Sequence, residues 1–383
     1  MYAAALQRKG YSVATLRALA KRRLPRMVFD MVDGAAGDEI TMRRNEAALA
    51  AIEIVPKLLE GAPKRDQSVE LFGVKLPSPV IIGPTGLAGL LWPHAELAAA
   101  RAAARFGTIY STSHASTATI EAIGAATPGP KWMQVFLYKD RGLTAEFAVR
   151  AASAGYKALI LTVDNQVTAG RDRDARNGLS FPLRWGPSSF VDFISRPGWL
   201  MRMASAPSPT FVNYGERTSI GAFGPLMAEQ LDPAVGWSDV EWLRRQWRGP
   251  LVIKGLLHPD DARQALKCGA EGVVVSNHGG RQLDGAIPSI VALPPIVDAV
   301  EDAIPVLIDG GFRRGVDVVK ALALGARAVL IGRPHLWGVA CAGEDGVHWV
   351  LELYRREIDR ALALGSWDSI AKLDRSIIFV SER

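Results

Sequence analysis

The stretch GVVVSNHGGRQLDG, residues 272–285, decides the fold that this chain is expected to adopt. Its apolar start is typical of a buried parallel strand, and the glycines that follow let the backbone approach a bound group closely. His278 can accept a proton near neutral pH, and Arg281 can hold a carboxylate through two parallel hydrogen bonds. The stretch therefore predicts a catalytic loop at the end of a strand, whereas His-Gly-Gly-Arg alone would sooner suit a solvated surface turn.

Apolar runs alternate with helical patterns along the chain from residue 80 onwards. Eight strands are predicted, at residues 80–82, 108–111, 132–136, 159–163, 251–254, 272–276, 306–309 and 328–332. Helical spacing lies between them, at residues 96–106, 117–123, 143–154, 237–247, 259–268, 289–300 and 313–324. This alternation favours an α/β fold, a (β/α)8 TIM barrel, over a doubly wound sheet, because no Gly-x-Gly-x-x-Gly sequence follows the first strand.

The barrel is expected to carry additions at both ends and one long insertion. Residues 1–79 contain two helical patterns, at 16–24 and 25–34, and are predicted to form an N-terminal helical cap on a barrel at 80–335. Residues 336–383 are predicted to be C-terminal helices. The insertion after the fourth strand, residues 177–230, far exceeds a usual barrel loop. Its middle part, 181–223, mixes aromatic residues with Met, Pro and Arg, which suits either a lid over the barrel mouth or a membrane contact.

The net charge of +6 comes from basic residues that are scattered along the chain in short clusters. No long Lys/Arg run with interleaved aromatic residues is present, so nucleic acid is not an expected partner. The positive charge instead favours acidic substrates or an anionic membrane surface. Two cysteines, Cys268 and Cys341, have no metal-ligand spacing, and no metal site is expected.

Polar side chains follow the predicted strands at corresponding positions. In a TIM barrel the carboxyl ends of all strands converge on one mouth, where active sites lie. So many polar residues at matching positions indicate a single site. They are Thr85, Ser113, Gln134, Thr162, Asp164, Lys254, His278, Asp309 and Arg333.

The last two strands predict a phosphate sub-site. Glycine amides and arginines after strands seven and eight form the usual phosphate pocket of this fold, although such glycines can also serve only to cap helices. The residues concerned are Gly311, Arg313, Gly332 and Arg333.

A second sub-site is expected around His278. Asp164 could orient the imidazole and stabilise its protonated form, while Arg171 and Arg281 could share a substrate carboxylate. Lys254 could stabilise developing negative charge on a cofactor, or form an ion pair inside the barrel. Together the two sub-sites indicate proton abstraction near a carboxylate, beside a phosphorylated cofactor.

Several stretches resemble one known family. Residues 276–284, SNHGGRQLD, match the signature of the FMN-dependent L-2-hydroxy acid oxidase/dehydrogenase family, and the resemblance covers nearly the whole chain. Residues 82–87, 91–93 and 254–257 are most similar to the mandelate dehydrogenases within that family, in which the connection after strand four carries a membrane anchor.

The resemblance implies FMN as the cofactor and assigns roles by position. His278 would be the base with Asp164 as its partner, Arg171 and Arg281 would hold the substrate carboxylate, and Lys254 would stabilise the reduced flavin. Two electrons would pass to flavin N5, by hydride transfer or through a carbanion. The residues implied around the flavin ring, ribityl chain and phosphate are Thr85, Gly86, Ser113, Gln134, Thr162, Lys254, Ser276, Asp309, Gly311, Arg313, Gly332 and Arg333.

Two positions depart from the family pattern. Met31 and Phe136 stand where the family has tyrosines whose hydroxyls face the substrate. Two hydrogen bonds, each worth roughly 1.5–3 kcal/mol when charge-assisted, are therefore missing. Either turnover of small hydroxy acids is weak, or the pocket has become more apolar for a larger substrate. Tyr138, two residues beyond Phe136, could compensate only if it pointed inward.

The expected function is FMN-dependent oxidation of an aryl or otherwise bulky, mandelate-like L-2-hydroxy acid to the 2-oxo acid, with electrons passed to a quinone or another carrier. Two alternatives stay open: an oxidase that reduces O2 to H2O2, and an FMN-binding protein whose catalysis is impaired by the missing tyrosines. Since members of this family are often tetramers, a homotetramer is expected. The expected location is the cytoplasm, with peripheral attachment to the inner face of the cell membrane as the alternative.

Overall fold

A computed structural model describes residues 6, 8–178, 186–204, 206, 210–217 and 220–380 of the chain. The elements described before the barrel are α1 (Val13–Arg23), α2 (Arg26–Asp33), α3 (Ile40–Ala51), β1 (Ile52–Ile54), β2 (Val69–Leu71) and β3 (Val74–Leu76). Helices α1 and α2 confirm the helices predicted at 16–24 and 25–34. The cap is helical only in part, because β1–β3 also belong to it and have no clear sequence pattern.

Eight parallel strands form the barrel, and each is hydrogen-bonded to the next around a closed ring. The strands are β4 (Val80–Thr85), β5 (Tyr110–Thr112), β6 (Lys131–Val135), β7 (Ala158–Thr162), β8 (Leu251–Leu256), β9 (Gly272–Val275), β10 (Val306–Ile308) and β11 (Ala328–Ile331). β11 pairs with β4 and closes the ring. Nearly every strand residue is buried, since side chains fill the barrel inside and helices cover it outside. The predicted TIM barrel is confirmed, with strand ends shifted by only a few residues.

Helices follow the strands on the outside of the barrel. They are α4 (Ala95–Phe106), α5 (Ile120–Ala126), α6 (Arg141–Ser153), α11 (Trp237–Gln246), α12 (Pro259–Lys267), α13 (Ser289–Val300), α14 (Gly315–Ala323) and α15 (Arg333–Leu364). α15 consists of two helical segments separated by Ala342 and Gly343, whose backbone angles are not helical. Two 3-10 turns and the strand β12 (Ile378–Val380) end the described chain, and β12 pairs with β1. The predicted C-terminal helices thus end at Leu364.

The connection after β7 begins with α7 (Asp172–Arg176). The described part of the insertion that follows contains α8 (Pro187–Ile194), α9 (Pro197–Ala204), a 3-10 helix at Val212–Arg217 and α10 (Ile220–Gln230). Residues 179–185, 205, 207–209 and 218–219, which belong to the predicted lid or membrane contact, lie outside the described residues. The Nε of Arg196 donates a hydrogen bond to the Leu24 carbonyl, and the indole of Trp199 donates one to the Leu90 carbonyl. These contacts hold α8 and α9 against the cap and the barrel mouth.

No helix within the described ranges is both long enough and apolar enough to cross a membrane.

Candidate active site

A cavity of about 550 Å³ opens at the carboxyl ends of the barrel strands. All but two of the predicted site residues line it, as the convergence of strand ends at one mouth requires. The lining residues among them are Met31, Thr85, Gly86, Ser113, Gln134, Phe136, Thr162, Arg171, Lys254, His278, Arg281, Asp309, Gly311, Arg313, Gly332 and Arg333. The two exceptions, Asp164 and Ser276, are hydrogen-bonded to residues that do line it.

His278 lies in a short 3-10 turn directly after β9, with a positive φ of 56°. A left-handed backbone is uncommon for residues other than glycine and is retained where the surroundings enforce it. The Oγ of Ser276 accepts the His278 backbone N–H, and the Oδ1 of Asp164 lies 3.0 Å from His278 Nδ1. These contacts fix both the backbone and the imidazole of His278.

The charges around His278 set its protonation. Burial lowers the pKa of His278 below 6.5, an effect that Asp164 opposes and Lys254 reinforces. Burial alone would raise the pKa of Asp164, but the nearby His278 and Lys254 hold it below its usual value. At neutral pH the site therefore contains a neutral imidazole beside an ionised carboxylate.

Lys254 lies in β8, and it lines the cavity. Its Nζ lies 3.0 Å from Asp309 Oδ2 and 2.9 Å from Ser276 Oγ. Burial lowers the pKa of Lys254, but Asp309 and Asp164 more than offset this effect and raise it overall. The ion pair inside the barrel that was one alternative for Lys254 is thus present. Lys254 still faces the cavity, so a permanent positive charge lies in its wall.

Arg333, which is buried, and Arg281, which is partly buried, have no carboxylate partner at ion-pair distance among the described residues. Arg333 donates to the carbonyls of Val32, Gly279 and Gly34, and Arg281 donates to the Gly34 carbonyl at 2.8 Å. Burial lowers the pKa of Arg333 to about 10, with a further contribution from Arg313. Burial and the neighbouring arginines also lower the pKa of Arg281 well below its usual value. Buried cations this close together favour bound anions.

The signature loop is also the docking site of the N-terminal cap. Asn277 and Asn45 exchange two side-chain hydrogen bonds of 2.8 Å. The carboxylate of Asp284 accepts the backbone N–H groups of Ile40 and Thr41 and so caps the start of α3. At Gly280 a Cβ atom would lie 2.5 Å from the backbone nitrogen of Met42, so only glycine fits. Three of the signature residues therefore serve to hold the cap rather than to contact a ligand.

Sequence reasoning missed a cluster of aromatic residues behind Phe136. The ring of His114, which lines the cavity, lies 4.4 Å from the ring of Phe136. Its Nδ1 lies 2.9 Å from the hydroxyl of Tyr138, and that hydroxyl lies 2.7 Å from the hydroxyl of Tyr214. Burial lowers the pKa of His114 to about 3, with a smaller contribution from His278, so this ring is neutral.

Tyr138 therefore does not replace the hydroxyl that Phe136 lacks. It is fully buried, bonds to His114 and is not among the residues that line the cavity. The position of His114, directly after Ser113, could have revealed it. Tyr214 comes from the insertion, where no local pattern indicates a contact with the barrel.

Comparison with known proteins agrees with this geometry. The model of the FMN-dependent dehydrogenase family matches residues 20–380. The chain belongs to this family. An L-lactate dehydrogenase of Caulobacter sp. (strain K31) is 40% identical over 377 residues, which cover 97% of this chain and 99% of the relative.

Solved structures of the FMN-dependent dehydrogenases are equally similar. The monotopic membrane protein (S)-mandelate dehydrogenase has a TM-score of 0.94 and 38% identity, and the match covers 97% of this chain and 99% of that one. A mandelate oxidase structure with (S)-2-phenylpropionate has a TM-score of 0.81 and 35% identity, with 97% and 98% covered. The protein is thus an FMN-dependent 2-hydroxy acid dehydrogenase, and its cofactor is FMN.

The cavity fits FMN. The phosphate of FMN is an anion, and the cations Arg313 and Arg333 line the cavity together with Gly310 and Gly311. Both glycines have a positive φ, which lets their backbone lie where a Cβ would overlap with neighbouring residues. The buried charge of Arg333, satisfied only by carbonyls, is the observation that calls for such an anion.

We expect Arg333→Gln to weaken FMN binding by about one to two orders of magnitude, because a charge-assisted hydrogen bond contributes roughly 1.5–3 kcal/mol. Arg314→Gln is the matched control, since Arg314 is half-exposed, pairs with Glu357 and does not line the cavity. Titration of the apoprotein with FMN, followed through flavin fluorescence, gives both dissociation constants. Equal constants for the two variants would contradict a phosphate contact at Arg333.

Proposed function

We propose that this enzyme oxidises an aryl or otherwise bulky L-2-hydroxy acid to the corresponding 2-oxo acid, with His278 as the base. The observation that carries the proposal is one cavity that combines a neutral imidazole, several arginines and an apolar wall. Membership of the family supports the reaction class. The chain is similar both to a lactate dehydrogenase, whose substrate is small, and to a mandelate dehydrogenase, whose substrate is aromatic.

The residues around His278 suit proton abstraction beside a carboxylate. Because Asp164 accepts the N–H of His278 Nδ1, the lone pair of the neutral ring lies on Nε2, which can take up a proton from the substrate. Asp164 then stabilises the imidazolium that forms. Arg171 and Arg281 hold the substrate carboxylate and orient the hydroxy acid toward His278.

Bound FMN supplies a two-electron acceptor. In our proposal the positive charge of Lys254 offsets negative charge that develops next to it. The residues proposed to contact FMN are Thr85, Gly86, Ser113, Gln134, Thr162, Lys254, Ser276, Asp309, Gly311, Arg313, Gly332 and Arg333. All of them except Ser276 line the cavity, and Ser276 is bonded to Lys254.

The apolar wall supports a bulky substrate. Met31 and Phe136 are buried at the cavity in place of the family's tyrosines. Phe211 and Met227 from the insertion, and Leu231 directly after it, line the same cavity. An aromatic or branched substituent buried there gains hydrophobic energy at about 25 cal/mol per Å² of apolar surface, whereas the methyl group of lactate would leave much of that surface uncovered.

The main test is anaerobic reduction of the FMN-loaded protein with a panel of 2-hydroxy acids, followed by loss of the yellow colour. We expect (S)-mandelate and similar aryl acids to reduce the flavin faster than lactate or glycolate. Phe136→Tyr, which restores a hydroxyl, should raise the rate of flavin reduction by small acids and so bring it closer to the rate with aryl acids.

If no acid in the panel reduces the flavin, the protein binds FMN but lacks this oxidation activity. With air present, peroxide formed at the rate of turnover would select the oxidase instead of a quinone or other carrier.

The pH profile tests the role of His278. Because burial lowers its pKa, we expect kcat/KM to rise with pH through a value below 6.5 and to be level at neutral pH. Asp164 raises the pKa of His278, so in Asp164→Asn the rise of kcat/KM should occur at lower pH. The same change should reduce kcat by up to roughly 10⁴-fold, because the imidazolium loses its counterion. If kcat/KM rises at the same pH in Asp164→Asn as in the parent protein, the pairing of Asp164 with His278 is contradicted. Activity that increases on acidification would exclude His278 as the base.

We further propose that α8 and α9 contact a lipid surface. Phe190, Val191, Ile194 and Met201 are each more than half exposed on these two helices. Exposed apolar side chains grouped on neighbouring helices mark an interaction surface, and such helices can lie in the headgroup region of a bilayer. The structurally similar (S)-mandelate dehydrogenase is a monotopic membrane protein, and attachment of this kind would suit a carrier such as a quinone as the electron acceptor.

We expect the double variant Phe190→Ser/Ile194→Ser to bind less to vesicles of phosphatidylcholine and phosphatidylglycerol in a flotation assay. Each lost side chain contributes roughly 1–2 kcal/mol of burial, so the partition coefficient should fall at least about tenfold. Val149→Ser/Leu364→Ser is the control, because it removes two equally exposed apolar side chains from α6 and α15. If both double variants partition like the parent protein, α8 and α9 form only a lid. The homotetramer remains a separate prediction, which sedimentation would test.

A further inference from the structure

Residues 32–39, here called the cap turn, comprise the last two residues of α2 and the turn after it. They contact three of the four arginines proposed to bind anions, or the chain next to them, namely Arg281, Arg333 and Arg171. The Gly34 carbonyl accepts hydrogen bonds from both Arg281 and Arg333. The backbone N–H of Ala36 donates to the Gly280 carbonyl at 2.9 Å, one residue before Arg281. The N–H of Gly37 donates to the Gly170 carbonyl at 3.1 Å, one residue before Arg171. The cap turn therefore connects the part of the chain around Arg281 and Arg333 with the part around Arg171.

A buried carboxylate holds the cap turn in place. The side chain of Asp33 is only 2% exposed, and Arg17 of α1 binds it through two hydrogen bonds, one of them 2.7 Å long. Arg173 of α7 donates a third hydrogen bond of 2.9 Å to the same carboxylate. Asp33 thus joins α1, the cap turn and the insertion at a single point, next to the peptide unit that carries the Gly34 carbonyl.

The second arginine links this cluster to the substrate side of the cavity. Arg173 also binds Glu39 at the far end of the cap turn and approaches Asp30 in α2. It lies two residues after Arg171, which is the N-cap of α7. Two guanidinium groups that converge on one carboxylate would repel each other without it. The negative charge of Asp33 therefore offsets this repulsion at the place where α7 meets the cap turn.

We propose that Asp33 is a positioning residue that sets the places of Arg281, Arg333 and Arg171 for anion binding. The inference rests on the proposed function, in which these arginines hold the FMN phosphate and the substrate carboxylate. Asp33 itself is not among the residues that line the cavity, so it acts only through the cap turn and Arg173. A role in folding stability alone is the competing explanation.

Asp33→Asn separates the two explanations, because it keeps the shape of the side chain and removes its charge. Two dissociation constants are measured: that of FMN with the apoprotein, and that of phenylacetate with the FMN-loaded protein, read from the flavin absorbance. Phenylacetate has a carboxylate but no hydroxyl to oxidise. We expect both constants to rise roughly tenfold, as they do when the partners that orient a binding group are lost. KM for the hydroxy acid should rise with them, and kcat at saturating FMN and substrate should change less than KM.

Asp359→Asn is the matched control. Asp359 also binds an arginine, Arg65, through two hydrogen bonds, and neither residue lines the cavity. Arg17→Gln is the milder second variant, because Arg17 is half exposed and Arg173 still binds Asp33 in its absence. We expect Arg17→Gln to weaken both ligands in the same direction as Asp33→Asn, and Arg17→Lys, which keeps the charge, to restore them.

The proposal is overturned if Asp33→Asn and Arg17→Gln lower the melting temperature as Asp359→Asn does but leave both dissociation constants unchanged. It is supported if affinity falls in the first two variants and not in the control at similar melting temperatures. Failure of the proposed function would look different, since the unmodified protein would then neither bind phenylacetate nor be reduced by hydroxy acids. In that case the FMN constants of the variants alone decide the role of Asp33.

Discussion

The carbonyl oxygen of Gly34 accepts hydrogen bonds from two guanidinium groups, those of Arg281 and Arg333. Neither arginine has a carboxylate partner among the described residues. Their hydrogen bonds go to backbone carbonyl oxygens instead. A carboxylate at this point would neutralise the cations and compete with ligand anions. Carbonyls orient the cations and leave their charge available. In the proposed function, the cofactor and substrate sub-sites both depend on that arrangement.

The barrel and its additions contribute different things to the site. Strand ends and the loops after them carry Lys254, His278 and Arg333, to which the proposed function gives roles in catalysis and cofactor binding. The cap and the insertion supply the apolar wall, through Met31 and Phe211. The cap also supplies the carbonyl oxygen that orients Arg281 and Arg333. Changes in the cap or the insertion can therefore alter substrate choice while the chemical groups stay in place, as expected for a fold whose functions vary through its loops.

Most of the barrel and much of the site could be predicted from the sequence, because their signals are local. Buried parallel strands are apolar runs, and each polar residue that follows such a run must lie at the mouth, as His278 and Asp309 do. The contacts of Asp33, Gly34 and Tyr214 could not be predicted in this way. Their partners lie far away in the chain, and an aspartate before a glycine has many other uses. Asn277 and Asp284 show the same limit, since their motif was recognisable but their contacts with the cap were not.

The contacts between the cap turn and the barrel also constrain the order in which the molecule can form. Gly34 and Arg281 are 247 residues apart in the chain, and Gly34 and Arg333 are 299 apart. During synthesis the N-terminal segment emerges long before these partners, with the apolar face of α2 uncovered. Closing loops of that length is entropically costly and slow. The barrel itself closes only when β11 pairs with β4, across a similar length of chain. The cap turn can therefore complete its contacts with Arg281 and Arg333 only after most of the chain has been synthesised.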